Sequence, residues 1–194
     1  MILPIVAFGH PVLRKEAVAI TADYPNLKAL LNDMWATMYN AQGVGLAAPQ
    51  VGLQIRIFLV DSAQLEEDEE EERDEHDEEE KLEGVKTAFI NAQILDKSGE
   101  PWPYEEGCLS IPDIREKVSR PETILIRWQD ENFDTHEREF SGINARIIQH
   151  EYDHIQGILF TDYLGPLKKR LLKKRLDNIS KGKISVRYKM KFPG

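Results

Sequence analysis

Cysteine is nearly absent from this chain, which has one residue of this type in 194. A single cysteine forms no intramolecular disulfide bond, which excludes a disulfide-stabilised secreted domain and favours a reducing compartment. Long hydrophobic runs are also missing, and no stretch reaches the length of a transmembrane helix. The N-terminus lacks a basic segment followed by a long apolar one, so we expect no signal peptide. These absences predict a cytoplasmic protein without a membrane partner.

The negative charge of the chain is concentrated in one segment. The formal net charge is −9, but residues 66–80 alone hold 13 acids, whereas residues 168–194 hold 11 Lys or Arg and one acid. Acidic side chains that repel one another offer nothing to bury. We therefore predict a single catalytic domain over residues 1–194, with a disordered acidic insertion at about 64–83. A cation-buffering or partner-docking role for this insertion is the alternative.

Hydrophobic periodicity predicts an α+β fold of short strands and separate helices. Helices are expected at about 25–42, 142–156 and 166–178. Strands are expected at 55–61, 86–94, 122–129, 135–140 and 184–192, with a hairpin turn at 130–132. Residues 43–50 are too rich in Gly, Ala and Pro to form a regular element, and residues 99–112 are predicted to be mostly loop with short extended pieces. Strands and helices do not alternate regularly, which excludes a doubly wound parallel sheet.

The motif with the clearest chemistry is His-Glu-x-x-His, at His150, Glu151 and His154. On a helix, residues four apart lie on one face, so both imidazoles can reach one metal ion. Glu151 lies one step round the helix, where a general base beside a metal-bound water belongs. A surface helix with incidental histidines is the alternative. The apolar Ile148 and Ile155 nearby argue against it, because they predict a buried helix.

A catalytic metal commonly has three protein ligands, so one more is needed. The chain has no glutamate after Glu151. Asp162, His10, His136 and Cys108 are the remaining candidates. A lone cysteine is more often a small buried hydrophobic residue, but a site that lacks one ligand favours Cys108. One thiolate and two imidazoles suit ferrous iron, zinc, nickel or cobalt.

Three motifs in order resemble those of the peptide deformylase family. They are Gly-Val-Gly-Leu-Ala-Ala-Pro-Gln at 43–50, Glu-Gly-Cys-Leu-Ser at 106–110 and Gln-His-Glu-Tyr-Asp-His at 149–154. The resemblance implies an α+β fold in which mixed and antiparallel short strands surround a central metal-binding helix, with a β-strand at the C-terminus. It implies one divalent metal per chain, most often Fe²⁺ with Zn, Ni or Co as substitutes, held by Cys108, His150 and His154.

The same resemblance implies an activity and the residues that perform it. Members of the family remove the N-formyl group from the initiator methionine of newly made proteins and release formate. Glu151 would accept the proton of the attacking water and return it to the amine. The Gln50 side-chain amide and the Leu109 backbone N–H would stabilise the oxyanion.

Substrate binding is implied for a further set of residues. Main-chain groups near Gly45 would pair with the substrate backbone in the manner of a β-strand. Ile147 would line an apolar slot for methionine, with Val44 and Ile143 as weaker candidates. Arg115, seven residues after Cys108, matches a family position near the substrate.

The C-terminal part of the chain combines a basic composition with helical periodicity. Leu167, Leu171, Leu172 and Leu176 form one apolar face, and cations occupy the rest of the helix. A helix packed on the body of the protein accounts for this pattern. The alternative is transient docking to ribosomal RNA near the exit of new chains. Expected partners are therefore N-formylmethionyl nascent polypeptides, with transient ribosome contact as the alternative role, and neither a membrane nor DNA.

Two other functions use the same residues and stay open at this point. A zinc endopeptidase cleaves internal amide bonds with the same water and glutamate chemistry. A catalytically silent protein that binds nascent chains or stores metal needs only the ligands. Formate release separates these functions, because neither alternative produces it.

Overall fold

A five-stranded antiparallel sheet forms the middle of the fold, seen in a computed structural model that describes residues 1–65 and 83–193. In spatial order its strands are β2 (Gly45–Ala47), β3 (Ile57–Asp61), β4 (Lys86–Ser98), β7 (Thr123–Gln129) and β8 (Thr135–Ser141). All five residues of β3 are buried. This strand therefore lies in the interior, with a packed layer on each face.

Alternate residues of β3 pack against two different helices. Ile57 and Leu59 join the core cluster that contains buried residues of helix α1 (Leu27–Asn40). Phe58 and Val60 join the cluster that contains buried residues of helix α2 (Gly142–Ile155). Successive side chains of a strand point to opposite faces, so one strand holds α1 on one side and α2 on the other. This arrangement buries α2, the helix that carries the His-Glu-x-x-His motif.

A second, two-stranded antiparallel sheet lies beside the first. Its strands are β5 (Trp102–Cys108) and β6 (Ile111–Arg120), joined by a two-residue turn. The prediction of mostly irregular structure over residues 99–112 was therefore wrong. Prolines 101, 103 and 112 suggested a loop, but Pro103 lies in an edge strand of this hairpin, where a missing N–H is tolerated. The hairpin ends its first strand at Cys108.

The two ends of the chain meet in a short parallel pair. Strand β1 (Ile5–Val6) pairs with β9 (Met190–Lys191), so the predicted C-terminal strand is present but shorter than residues 184–192. Helix α3 (Pro166–Ser180) precedes it and buries Leu172. Leu167 and Leu171 are 68% and 69% exposed, so the predicted apolar face is only partly buried.

Most of the other local predictions agree with the structure to within a few residues. The three predicted helices are confirmed as α1, α2 and α3, and the hairpin at 122–140 is confirmed as β7 and β8. Residues 43–50 were predicted to be irregular but contain β2 and a 3₁₀ helix, Ala48–Val51. Most of the predicted acidic insertion lies outside the described residues. Within them, no helix is long and apolar enough to cross a membrane.

Two glycines at the ends of α2 provide a matched test of its packing. Gly142 and Gly157 have φ values of 57° and 74°, in the left-handed region that disfavours a Cβ atom. A Cβ at Gly142 would meet nothing within 4 Å, whereas one at Gly157 would lie 2.8 Å from the backbone carbon of Arg14.

We predict that Gly142→Ala lowers the free energy of unfolding by about 1–2 kcal/mol, from backbone strain alone. Gly157→Ala should cost at least about 1 kcal/mol more, because the backbone of Arg14 must also move. Urea unfolding of both variants measures the difference. Equal losses of unfolding free energy in the two variants would show that the close contact between Gly157 and the Arg14 backbone does not stabilise the C-terminal end of α2.

Candidate active site

The cysteine and the two motif histidines lie together although they are distant in the sequence. The Sγ atom of Cys108, at the end of β5, lies 3.3 Å from Nε2 of His154 on α2. One possible ligand atom from each of Cys108, His150 and His154 lies within 4.8 Å of the other two. The three side chains could therefore hold one metal ion.

A buried carboxylate orients the first of these histidines. Glu106, two residues before Cys108 on the same strand face, accepts a hydrogen bond from Nδ1 of His150 at 3.0 Å. Because Nδ1 is engaged, the other ring nitrogen, Nε2, is free to bind a metal. Burial lowers the pKa of His150, but hydrogen bonds to Cys108 and Glu106 outweigh burial and raise it above the ordinary value.

Glu106 is itself held by two buried arginines. Arg120 on β6 donates through Nε and Nη2 at 2.7 and 2.9 Å, and Arg146 on α2 donates through Nη1 at 3.1 Å. Burial raises the pKa of Glu106, but Arg120 and His150 more than offset it and hold that pKa well below its usual range. Asp153 accepts a further bond from Arg120 at 2.7 Å. The carboxylates and guanidinium groups are thus buried only as neutralised pairs.

The chemistry of the cluster fits a divalent transition metal. Burial and the neighbouring charge of His150 hold the pKa of His154 well below its ordinary value, so this ring is neutral. A neutral imidazole and a thiolate are the forms that bind metal, so metal binding would displace the proton of His150. A set of one sulfur and two nitrogens leaves room for a fourth, exchangeable ligand, as in catalytic sites.

Glu151 is buried directly against residues 43–45, which we call the glycine loop and whose last residue begins β2. A Cβ atom at Gly45 would lie 2.7 Å from Cγ of Glu151, so no other residue type leaves room for this carboxylate. Burial raises the pKa of Glu151 to about 7. Its Oε2 has no hydrogen-bond partner within the part of the chain that the structure describes. An unpartnered buried oxygen is costly, so this oxygen could accept from a polar group that binds in the cleft.

Gln50 points its amide nitrogen toward Cys108. Its Oε1 accepts from the Ala47 backbone N–H at 2.8 Å, which fixes the orientation of the amide. Its Nε2 lies 3.5 Å from Sγ of Cys108 and 3.4 Å from Oγ of Ser110. The side chain is 1% exposed, so its N–H donor lies in a dry environment beside the cluster.

An open cleft of about 1310 Å³ leads to this cluster. Every residue predicted to bind substrate lines it, namely Gly45, Val44, Ile143, Ile147 and Arg115, together with Leu109. Part of its lining was not predicted, because the C-terminal segment 185–188 also contributes to it.

The alternative third ligands lie elsewhere. His10 accepts a hydrogen bond from the Val12 N–H at the start of a 3₁₀ helix. His136 pairs with Asp130 on an exposed hairpin, and Asp162 pairs with Arg14. Among these candidates, only Cys108 joins the two motif histidines.

Comparison with known proteins identifies the family. A family model described as polypeptide deformylase matches residues 2–170. The chain belongs to the polypeptide deformylase family. Members of this family remove the N-formyl group from newly made proteins, and they are metal-dependent hydrolases.

Individual deformylases match the chain over nearly its whole length. Peptide deformylase from Christiangramia forsetii is 58% identical over 193 residues, which cover 100% of this chain and 97% of that protein. The crystal structure of peptide deformylase 1B from Arabidopsis thaliana covers 93% of this chain and 92% of its own, with 32% identity and a TM-score of 0.78. A peptide deformylase structure from Legionella pneumophila covers 94% and 98%, with 33% identity and a TM-score of 0.77. The predicted α+β deformylase fold is confirmed.

The sequence patterns did not indicate the residues that support Cys108, His150 and His154. Glu106 could have been found from the period of two in a strand, which puts it on the same face as Cys108. Arg146 and Asp153 lie four residues before and three after His150, on one helix face. Arg120 had no such local signal.

We predict that Glu106→Gln weakens metal affinity by about 10–100-fold, because His150 loses its charged acceptor. The protein should also lose stability, since Arg120 and Arg146 are left without a buried counter-charge. Metal titration and thermal unfolding measure the two effects. The matched control is Glu105→Gln, which makes the same change at the exposed neighbouring position. Equal affinities of the two variants would contradict the role of Glu106.

Proposed function

We propose that this deformylase cleaves the formyl group from N-formylmethionyl chains with Fe²⁺ bound by Cys108, His150 and His154. Zinc, nickel or cobalt can substitute, since all suit one thiolate and two imidazoles. One observation carries the proposal: a sulfur and two ring nitrogens converge beside the buried carboxylate of Glu151, whose Oε2 has no hydrogen-bond partner among the described residues. When bound, the metal supplies Lewis-acid chemistry, which acidifies water and polarises the formyl oxygen.

Glu151 moves the proton in the proposed reaction. Its carboxylate accepts a proton from the water that attacks the formyl carbon. It then gives that proton to the nitrogen as the C–N bond breaks, so formate and a free amine leave. A pKa of about 7 suits both steps, because a group that titrates near neutral pH can accept and donate a proton equally well.

Two donors stabilise the charge that develops on the formyl oxygen. The Nε2–H of Gln50 is held by the bond from Ala47 to its Oε1, so it needs little reorganisation during the reaction. The backbone N–H of Leu109 is the second donor, in the turn directly after Cys108. Loss of one such donor typically costs about 10²–10³-fold in rate.

The cleft provides the specificity for methionine in this proposal. Ile147 and Ile143 lie on α2 and Val44 lies in the glycine loop, so apolar side chains from two elements face the cleft. Main-chain groups near Gly45 can pair with an extended substrate. Arg115, opposite Gly107 in the hairpin, lies on the same cleft and provides a cation near the substrate backbone.

We predict that the protein releases formate from an N-formylmethionyl peptide but not from its acetylated analogue, and leaves an internal amide intact. Glu151→Ala should retain metal and lose turnover by at least about 10²-fold. Cys108→Ala should lose metal. Formate assay and metal analysis under anaerobic conditions measure both, because thiolate-bound ferrous iron is easily oxidised.

Four outcomes of this experiment are decisive. Normal metal content and activity in Cys108→Ala would contradict the ligand assignment. Cleavage of the internal amide would favour an endopeptidase, and absence of all turnover would favour a non-catalytic binding protein. Full activity with zinc but not iron, under anaerobic conditions, would contradict the proposed metal.

We further propose that the enzyme works in the cytoplasm and contacts the ribosome through α3. The lone cysteine suits a reducing compartment. Several cations of α3 pair with acceptors on the protein itself, such as Lys168 with Glu116. Arg170 and Lys174 have no hydrogen-bond or ion-pair partner among the described residues and are exposed, so they are available to phosphate groups.

We predict that the protein sediments with ribosomes at low salt and that binding falls steeply as salt rises. The double variant Arg170→Gln with Lys174→Gln should lower the salt slope by about 2, or about 1 per lost phosphate contact. The control is Lys28→Gln with Lys97→Gln, which removes the same charge from exposed positions outside α3. Absence of sedimentation at low salt would contradict the proposed ribosome contact. Equal changes of the salt slope in both double variants would also contradict it.

A further inference from the structure

A tyrosine near the C-terminus is bonded to the turn that carries the proposed oxyanion donor. The hydroxyl of Tyr188 donates to the backbone carbonyl of Leu109 at 2.8 Å. Burial, with the charges of Cys108 and Asp113, raises the pKa of Tyr188 above its ordinary value, so the hydroxyl keeps its proton and donates. The family model ends at residue 170, so Tyr188 lies outside the part of the chain that the family pattern covers.

The turn between β5 and β6 needs support from outside. Two-residue hairpin turns are most stable when a central residue has positive φ, because that geometry follows the twist of the strands. Leu109 and Ser110 are the two turn residues, and neither has positive φ. The strand register also shifts between Gly107 and Cys108. This turn therefore depends on contacts that other segments make with it.

Both turn carbonyls are held by the ends of the chain. Ser110 O accepts from the Phe8 N–H at 2.8 Å, and Leu109 O accepts from Tyr188. The two donors are joined, since Ile5 N–H donates to Lys189 O in the β1–β9 pair. The two terminal segments thus support the turn together, and the Tyr188 hydroxyl contacts the residue directly after Cys108.

We propose that Tyr188 is a positioning residue for deformylation. Its hydroxyl fixes the peptide unit between Leu109 and Ser110. This restrains the preceding peptide unit, which carries the Leu109 N–H and joins Leu109 to Cys108. The Tyr188 hydroxyl is bonded to the Leu109 carbonyl and so acts through Leu109, and Tyr188 also lines the cleft with Cys108 and Leu109. The inference rests on the proposed function, because it needs Leu109 N–H as the oxyanion donor.

The test compares two tyrosines in the same hydrophobic cluster. Tyr188 and Tyr24 are both half-buried against the cluster that contains α1, and the Tyr24 hydroxyl has no hydrogen-bond partner among the described residues. Tyr188→Phe removes the bond to Leu109 and keeps the ring, whereas Tyr24→Phe is the matched control. The unchanged protein and both variants are loaded with Fe²⁺ under anaerobic conditions, and kcat, KM, thermal midpoint and amide hydrogen exchange of residues 108–111 are measured.

We expect Tyr188→Phe to lower kcat roughly tenfold with KM within about twofold, because the lost restraint acts on the transition state. Exchange at Leu109 and Ser110 should become faster, while Tyr24→Phe leaves all these values unchanged. A kcat equal to that of the unchanged protein, or a KM change as large as the kcat change, would overturn the role of Tyr188. No formate from the unchanged protein would overturn the proposed function itself.

Discussion

The arrangement of the site depends on the buried carboxylate of Glu106. It joins the β5–β6 hairpin to α2, because its oxygens accept from Arg120 on one element and from His150 and Arg146 on the other. Buried charges are costly unless they are paired, so hairpin and helix cannot separate without leaving charges unmatched in the interior. Cys108, two residues further along β5, is thereby held against His154, from which it is separated by 46 positions in sequence.

Close backbone approach is the second constraint on the site. The Glu151 carboxylate occupies space that a side chain at position 45 would fill, and the Leu109 side chain does the same at Gly43. Two glycines in one loop therefore bring the proposed base and the proposed oxyanion donor to the same cleft. A dry environment strengthens each hydrogen bond to a developing charge, and burial also moves the pKa of Glu151 toward neutrality.

Residues near both ends of the chain support the turn that follows Cys108. The first strand and the last strand pair with each other, and each end also supplies a donor to the turn after Cys108. The segment after residue 170 therefore contributes to the cleft as well as to the fold, although the family model does not extend over it. The turn between β5 and β6 is fixed in this way, although its sequence does not favour a two-residue turn.

The sequence by itself determined the helices, most strands and the His-Glu-x-x-His motif. These features are encoded over a few neighbouring residues, as a period of 3.6 in α2 or a buried run in β3. Only the tertiary structure decided that residues 102–120 form a hairpin, since strand pairing outweighs the local preference of proline and glycine for loops. It also decided that Arg120 and Tyr188 support the site. Their partners are distant in sequence, and burial and pairing select such contacts only once the whole chain has folded.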